Sequence, residues 1–413
     1  MLLLYNFFIF LYHCLIQIAA FSSNEKAKHW VQGRKNLFNR LSDALQSNER
    51  RIWFHCASLG EFEQGRPLIE RFRIKYPEIK IVLTFFSPSG YEIRKNYSGA
   101  DYIFYLPVDT KSNARKFISL VSPEKIFFVK YEYWFHYFNE AGKENIPVFL
   151  VSAIFRPGQR FFHWYGGFFR KMLKTVAHFF VQDENSMQLL NSIGLLNVTI
   201  TGDTRFDRVL EVASKPKSIP LAEKFKGGKN IFIAGSTWEK DEEILVDVFP
   251  KLLARGYRII IAPHEINRKK INQLVGSLQG FKVIKFTEAN EETISSFEIL
   301  IINNIGMLSS LYKSATMAYV GGGFGTGIHN ILEAAVFGMP VFFGPEYHRF
   351  REANDLVNSG CAFSIKSSEE LSLLLKVFLE DQEKLNTASI VTKKYVYDRK
   401  GATDKILDFI KAE

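Results

Sequence analysis

The chain has 413 residues, room for two domains of ordinary size. A composition of 47% hydrophobic and 23% charged residues excludes a disordered chain, and three scattered cysteines (Cys14, Cys56, Cys361) exclude a disulfide framework and zinc-type spacing. The net charge of +10 asks for an anionic partner, but no run of five or six like charges supports a nucleic-acid tail.

The first element is "LLLYNFFIFLYHCLIQIAAF" (2–21), which holds no Asp, Glu, Lys or Arg. As a helix it is roughly 30 Å long, one bilayer core. A signal peptide opens on positive charge, and none precedes this run. The cations follow it, at Lys26, Lys28, Arg34, Lys35 and Arg40. Residues 1–22 therefore read as an uncleaved anchor with the bulk of the protein in the cytoplasm. "IAAFSS" would serve as a cleavage site, so a signal peptide is the rival reading.

From residue 51, short apolar runs alternate with amphipathic segments. "RIWFHCA", "KIVLTFF", "DYIFYLP", "KIFFVK", "IPVFLVSA", "AHFFVQ" and "NVTITG" read as buried strands of a parallel sheet covered on both faces. "DRVLEVASKPKSIPLAEKFKGGKN" (207–230) breaks the rhythm and reads as a linker. The alternation restarts with "NIFIAGS", "YRIIIAP", "FKVIKF", "FEILIIN", "ATMAYVGGG" and "MPVFFGP". The reading is an α/β chain of two Rossmann-like domains facing across a cleft, residues 40–206 and 230–395, joined by a linker at 207–229. The end of the chain, 396–413, reads as a helix that packs back across the interface.

In the first half, Ser58 to Glu61 follow a strand, and Phe62, Ile69 and Phe72 give the next helix an inward face. Glu61 and Glu63 stand about 200° apart on a helix, so they cannot share a role. Glu63 and Glu70 fit a solvated face. Glu61 sits at the strand's carboxyl end, where ligands bind in open α/β sheets; an acid favoured by the helix dipole is the alternative. "FVKYEYWFHYF" (128–138) and "SAIFRPGQRFFHWYGGFFRKMLK" (152–174) mix aromatics with Arg156, Arg160, Arg170, Lys171 and Lys174, which suits a membrane interface, a lipid acceptor, or core packing with snorkelling cations. "GDTRFDR" (202–208) puts Arg205 near the expected cleft.

In the second half, "YVGGGFGTGIHNILEAAVFGMPVFFGP" (319–345) carries a strand, three glycines, a flexible loop and a helix start near 328–330. No window satisfies G-x-G-x-x-G and no GK[ST] is present, so neither a dinucleotide fingerprint nor a P-loop is supported. The physics is still that of phosphate binding: glycines admit a ligand to the backbone, and a helix start offers free N–H groups. Glu333, one turn on, would reach sugar hydroxyls. "APHEIN" (262–267), "NNIGMLSSLY" (303–312) and "GSTWEKDEE" (235–243) lie at other strand ends, the last with Ser236 and Thr237 as N-cap residues. Each alone is more often a loop or a cap. Together they outline one nucleotide-sized site.

"ASLGEFEQG", "KYEYW", "SAIFR", "TGDTRFDR", "STWEKDEE", "APHE" and the glycine stretch run in the order found in 3-deoxy-D-manno-octulosonic acid (Kdo) transferases, which the chain resembles from its apolar start to about residue 360. The resemblance implies a GT-B glycosyltransferase on the cytoplasmic face of the inner membrane. Such an enzyme moves Kdo from CMP-Kdo to the tetra-acylated lipid A precursor, lipid IVA, with inversion, in lipopolysaccharide synthesis. It implies Glu61 as general base, with Lys130 and Arg205 stabilising the transition state. It places CMP on Pro263 and His264, on Gly306, Met307 and Leu308, and on Asn330, Ile331, Leu332 and Glu333. The expected partners are CMP-Kdo, the lipid A precursor and inner-membrane lipids, with no nucleic acid, no cofactor and no metal. Two departures stand out. Many members have "PRH" where this chain has Pro263-His264-Glu265, and many have a carboxylate where Lys130 stands. The rival enzyme is a membrane-associated GT-B transferase using a UDP-sugar donor; the rival non-enzyme is a membrane-tethered nucleotide-binding scaffold.

Overall fold

The structure is a computed structural model that describes residues 1–412. The chain divides into two compact units: Met1–Arg208 joined by the chain from Gly401 onward, and Val209–Lys400.

The first unit is built on seven strands: β1 (Arg51–Cys56), β2 (Lys80–Phe85), β3 (Tyr102–Tyr105), β4 (Lys125–Val129), β5 (Val148–Ala153), β6 (Val176–Val181) and β7 (Val198–Ile200). They lie in the order β3-β2-β1-β4-β5-β6-β7, with parallel pairing throughout. Every residue of β1 and β5 is buried, as the unbroken apolar runs require of a sheet covered on both faces. One face explains much of the phenylalanine content. Phe54, Phe127, Phe149 and Phe180 form a ladder across β1, β4, β5 and β6, with successive ring centroids 4.6, 5.2 and 6.1 Å apart. The helix Leu59–Lys75 covers this face through Phe62, Leu68, Ile69 and Phe72. It approaches closely at Gly65, where a Cβ would lie 3.0 Å from Cys56 Sγ and Val129 Cγ2.

The second unit repeats the plan with β8 (Ile231–Thr237), β9 (Arg258–Pro263), β10 (Val283–Lys285), β11 (Ile299–Ile301), β12 (Met317–Val320), β13 (Val341–Phe343) and β14 (Ala362–Ser364). Their order is β10-β11-β9-β8-β12-β13-β14, again parallel. Thirteen of the strands follow apolar runs visible in the sequence. Only β14 does not: it is three residues long and only Ala362 of it is buried.

One segment differs from expectation. The stretch read as a linker is helical at Thr204–Ser214 and Pro220–Lys226, and Phe225 is fully buried. The guanidinium of Arg258 covers its ring at 5.2 Å, a partner that the local Lys-Pro-Ser composition does not reveal. The final helix spans Ala402–Ala412 and belongs to the first unit, where Ile406, Leu407 and Ile410 join the core of the phenylalanine ladder. Asp207 fixes its start, accepting from Gly401 N–H at 2.6 Å and from Thr403 N–H and hydroxyl at 2.7 Å.

The N-terminal helix, Leu2–Ala20, is long and apolar enough to cross a membrane. One edge of it is docked on the first unit. Tyr5 donates to Asp109, Asn6 Oδ1 and His136 Nε2 are 2.7 Å apart, and Tyr12 stacks on Phe86. The rest is open: Leu3 is 85% exposed and Ile18 66%.

Candidate active site

In the first unit the site gathers at the carboxyl ends of β1, β4 and β5. Glu61 occupies the first turn of the helix after β1 and is half-buried, with the Ser58 hydroxyl donating to its carboxylate. Lys130 directly follows β4 in the left-handed region, at φ +67°, its amide held by Val151 O at 2.9 Å. A non-glycine residue there is strained, a condition that gathers at functional positions. Its ammonium lies 5.1 Å from the Tyr131 ring centroid, and the Arg156 guanidinium 6.0 Å from the same ring.

Arg205 is anchored by Asp203, with Nη2 and Nε at 2.7 and 2.9 Å from Oδ2. Gln64, on the Glu61 helix, donates to the other Asp203 oxygen at 3.2 Å. Burial alone would raise the Asp203 carboxyl, but the Arg205 charge and these hydrogen bonds hold it below the usual carboxylate range. Tyr131 connects the parts. Burial raises its phenol, and the charges of Arg156, Arg205, Glu61 and Asp203 all act on it. Glu61 and Arg205 thus act electrostatically on the phenol whose ring lies beside the Lys130 ammonium.

Glu63 and Glu70 are not the solvated acids expected. Glu63 pairs with Arg94 at 2.8 Å and Glu70 with Arg66 at 2.7 Å, and Arg208 lies 3.7 and 3.6 Å from the two carboxylates. Glu63 is committed to this network, whereas Glu61 is held by the Ser58 hydroxyl. Tyr131 and Asp203 were missed by sequence reasoning. Asp203 stood in a quoted motif, but nothing local showed that Arg205 leans on it.

In the second unit, Pro263 ends β9 and His264 follows, its amide donating to Thr237 O at 2.9 Å. Gly306, at φ +89°, turns the chain into Met307, which caps the short helix Leu308–Leu311. After β12 the glycine loop is compact, with the amides of Gly325 and Gly327 both turned onto Gly322 O. The helix beyond it starts at Leu332, later than expected, and covers only Leu332–Ala335. Asn330 organises that start: its Oδ1 accepts from Leu332 N–H and its Nδ2 donates to Glu333 Oε1, both at 3.2 Å. Ile331 and Leu332 are fully buried, so only their backbones can serve a ligand.

Asp241, fully buried and also missed, holds these loops together. Its Oδ2 accepts from Trp238 N–H and Gly322 N–H, each at 2.9 Å, and its Oδ1 from the Tyr319 hydroxyl at 2.7 Å. Burial raises its carboxyl, and these donors partly offset the rise. Asp241 also corrects the expected cap: Trp238, not Ser236 or Thr237, is the N-cap, and the acid three residues on reaches back to it.

Residues 32–208 match the family model of the 3-deoxy-D-manno-octulosonic-acid transferases. The matched stretch contains Glu61, Lys130 and Arg205. Similarity to curated proteins runs further. The 3-deoxy-D-manno-octulosonic acid transferase of Rickettsia bellii is 28% identical over 81% of this chain and 81% of that protein. A bifunctional glycosyltransferase/methyltransferase of Fusobacterium nucleatum is 28% identical over 84% of this chain; the chain spans only 54% of its length. Among solved structures, a UDP-GlcNAc 2-epimerase from Neisseria meningitidis shares the fold at TM-score 0.60 and 15% identity, over 88% of this chain and all of that one. MurG from Acinetobacter baumannii does so at TM-score 0.55 and 11% identity, over the same shares. Two parallel α/β units in one chain with these neighbours make the fold GT-B.

Proposed function

We propose that the protein is an inverting glycosyltransferase that moves Kdo from CMP-Kdo to the tetra-acylated lipid A precursor in lipopolysaccharide synthesis. The observation that carries this reading is the position of Glu61. It lies inside the stretch that matches the Kdo transferase model, half-buried after β1, outside the Glu63 ion network, and its charge acts on the same Tyr131 phenol as that of Arg205. Glu61 takes the proton from the acceptor hydroxyl as that oxygen attacks the anomeric carbon of Kdo. CMP leaves from the opposite face, so the configuration inverts. Arg205, held by Asp203, and Lys130 offset negative charge as it develops.

The second unit binds the nucleotide. Glu333 takes the ribose hydroxyls, the backbone around Asn330 to Leu332 takes the phosphate, and Pro263, His264 and Gly306 to Leu308 line the base. The leaving group is a monophosphate, so backbone donors and cations suffice in place of a metal that would neutralise a diphosphate. The protein works at the cytoplasmic face of the inner membrane, held there by the exposed apolar face of the N-terminal helix. The test is nucleotide preference. CMP should raise the melting temperature and UDP should not; stabilisation by UDP alone would point to a UDP-sugar transferase instead.

A further inference from the structure

Three aromatic rings stand at the carboxyl ends of neighbouring strands, and two of them, Trp238 and His329, have no part in the nucleotide site. Trp238 follows β8, His264 follows β9, and His329 lies in the glycine loop after β12. The Trp238 and His329 rings are nearly coplanar, at 8° with centroids 6.4 Å apart, and Trp238 Nε1 donates to His329 Nε2 at 3.0 Å. His264 lies over their junction, 4.6 Å from Trp238 and 4.3 Å from His329, tilted by 26° and 24°.

Each ring is held by its backbone. Asp241 fixes the Trp238 amide, Thr237 O the His264 amide, and Gly321 O the His329 amide at 3.0 Å. Gly322 makes room: a Cβ there would meet the His329 ring at 3.1 Å. Burial and the neighbouring His264 push the His329 imidazole down to about 4, so at neutral pH it remains the uncharged acceptor that the Trp238 bond requires. Trp238 nevertheless stays 39% exposed. A large aromatic ring, fixed at its edge and open on its surface, is built to meet a ligand.

Strand order indicates which part of the ligand. The base is assigned to the ends of β11 and β9, and the sheet continues β11-β9-β8-β12. Trp238 and His329 stand on the β8 and β12 side, and His329 directly precedes the Asn330 to Leu332 backbone assigned to the phosphate, to which the transferred sugar is attached. We propose that Trp238 and His329 form an aromatic shelf for the transferred sugar of the donor, on the face that His264 does not cover. The flat C–H face of a pyranose lies against such rings while its hydroxyls and acid group keep their hydrogen bonds. The proposal deepens the nucleotide-sugar reading above and rests on it.

The test compares a sugar nucleotide with its bare nucleotide. CMP-Kdo and CMP are titrated against the wild type, Trp238→Ala and Trp238→Phe, each first checked for an unchanged melting transition. Trp238→Ala should weaken CMP-Kdo about tenfold and CMP by less than about twofold, with Trp238→Phe recovering most of the loss. Equal losses for both ligands, or none, would overturn the shelf. A wild type that binds UDP-GlcNAc and UDP in place of the cytidine pair would overturn the donor reading alone, and the same ratio on the uridine pair then decides the shelf. A wild type that binds neither pair overturns both.

Discussion

Replacing Asp241 tests how the second unit builds its site. Its carboxylate accepts three hydrogen bonds, from Trp238, Gly322 and Tyr319, with no exposure of its own. At a net value of about 1 kcal/mol each, Asp241→Ala removes about 3 kcal/mol. Leaving the buried Tyr319 hydroxyl and Gly322 N–H unpaired adds to the loss. Relief from burying a carboxyl whose proton affinity is already raised offsets part of it. The net expectation is about 3 kcal/mol. Tyr319→Phe removes one of the three bonds, keeps the ring, and should cost about 1 kcal/mol. Urea unfolding followed by tryptophan emission suits the measurement, because Trp238 is the only tryptophan of Val209–Lys400. An Asp241→Ala loss no greater than that of Tyr319→Phe, or unchanged Trp238 emission in the folded variant, would refute the reasoning.

Glu61→Gln should lower the transfer rate by roughly 10²- to 10⁴-fold and leave the CMP dissociation constant near that of the wild type; retained turnover would remove Glu61 from the role of base. Burial pushes the Asp109 carboxyl up to about 6 from an ordinary 3.8, against the pull of Tyr5 and the His136 and Tyr137 amides. The folded state thus favours the protonated form. The contribution of Asp109 to stability should be greatest below about pH 4, fall by up to about 3 kcal/mol as the pH rises to about 6, and then level off; the difference between wild type and Asp109→Asn in denaturation curves should show that slope. Phe7, Phe10 and Ile18 are 57%, 65% and 66% exposed. Changing all three to Ser should abolish flotation with anionic vesicles while leaving the melting temperature in place, and continued flotation would detach membrane binding from this helix.

The parts legible in the sequence were those with local causes. Unbroken runs such as "KIVLTFF" can be buried on both faces only in a parallel sheet, so both sheets could be read directly. The glycine loop and the carboxylate after β1 were visible because each sits where a strand ends. What escaped depends on distant partners. Phe225 is buried because Arg258 and its neighbours cover it, although its own segment has the composition of a linker. Glu63 is paired through Arg94 and Arg208, neither of them adjacent in sequence. Asp241 looked like a helix-start acid, and its bond to Gly322, 81 residues away, makes it a hub. The stack of Trp238, His264 and His329 likewise exists only once three strand ends are brought side by side.

The mass of the lipid product decides whether the proposed reaction takes place. The purified protein, in detergent or vesicles, is incubated with CMP-Kdo and the tetra-acylated lipid A precursor, and the lipid is analysed by mass spectrometry. Kdo transfer should yield a lipid heavier by one or more Kdo residues, with CMP released in equal number and neither formed by Glu61→Gln. An unchanged lipid, or a Kdo-bearing lipid made equally well by Glu61→Gln, would contradict the proposal.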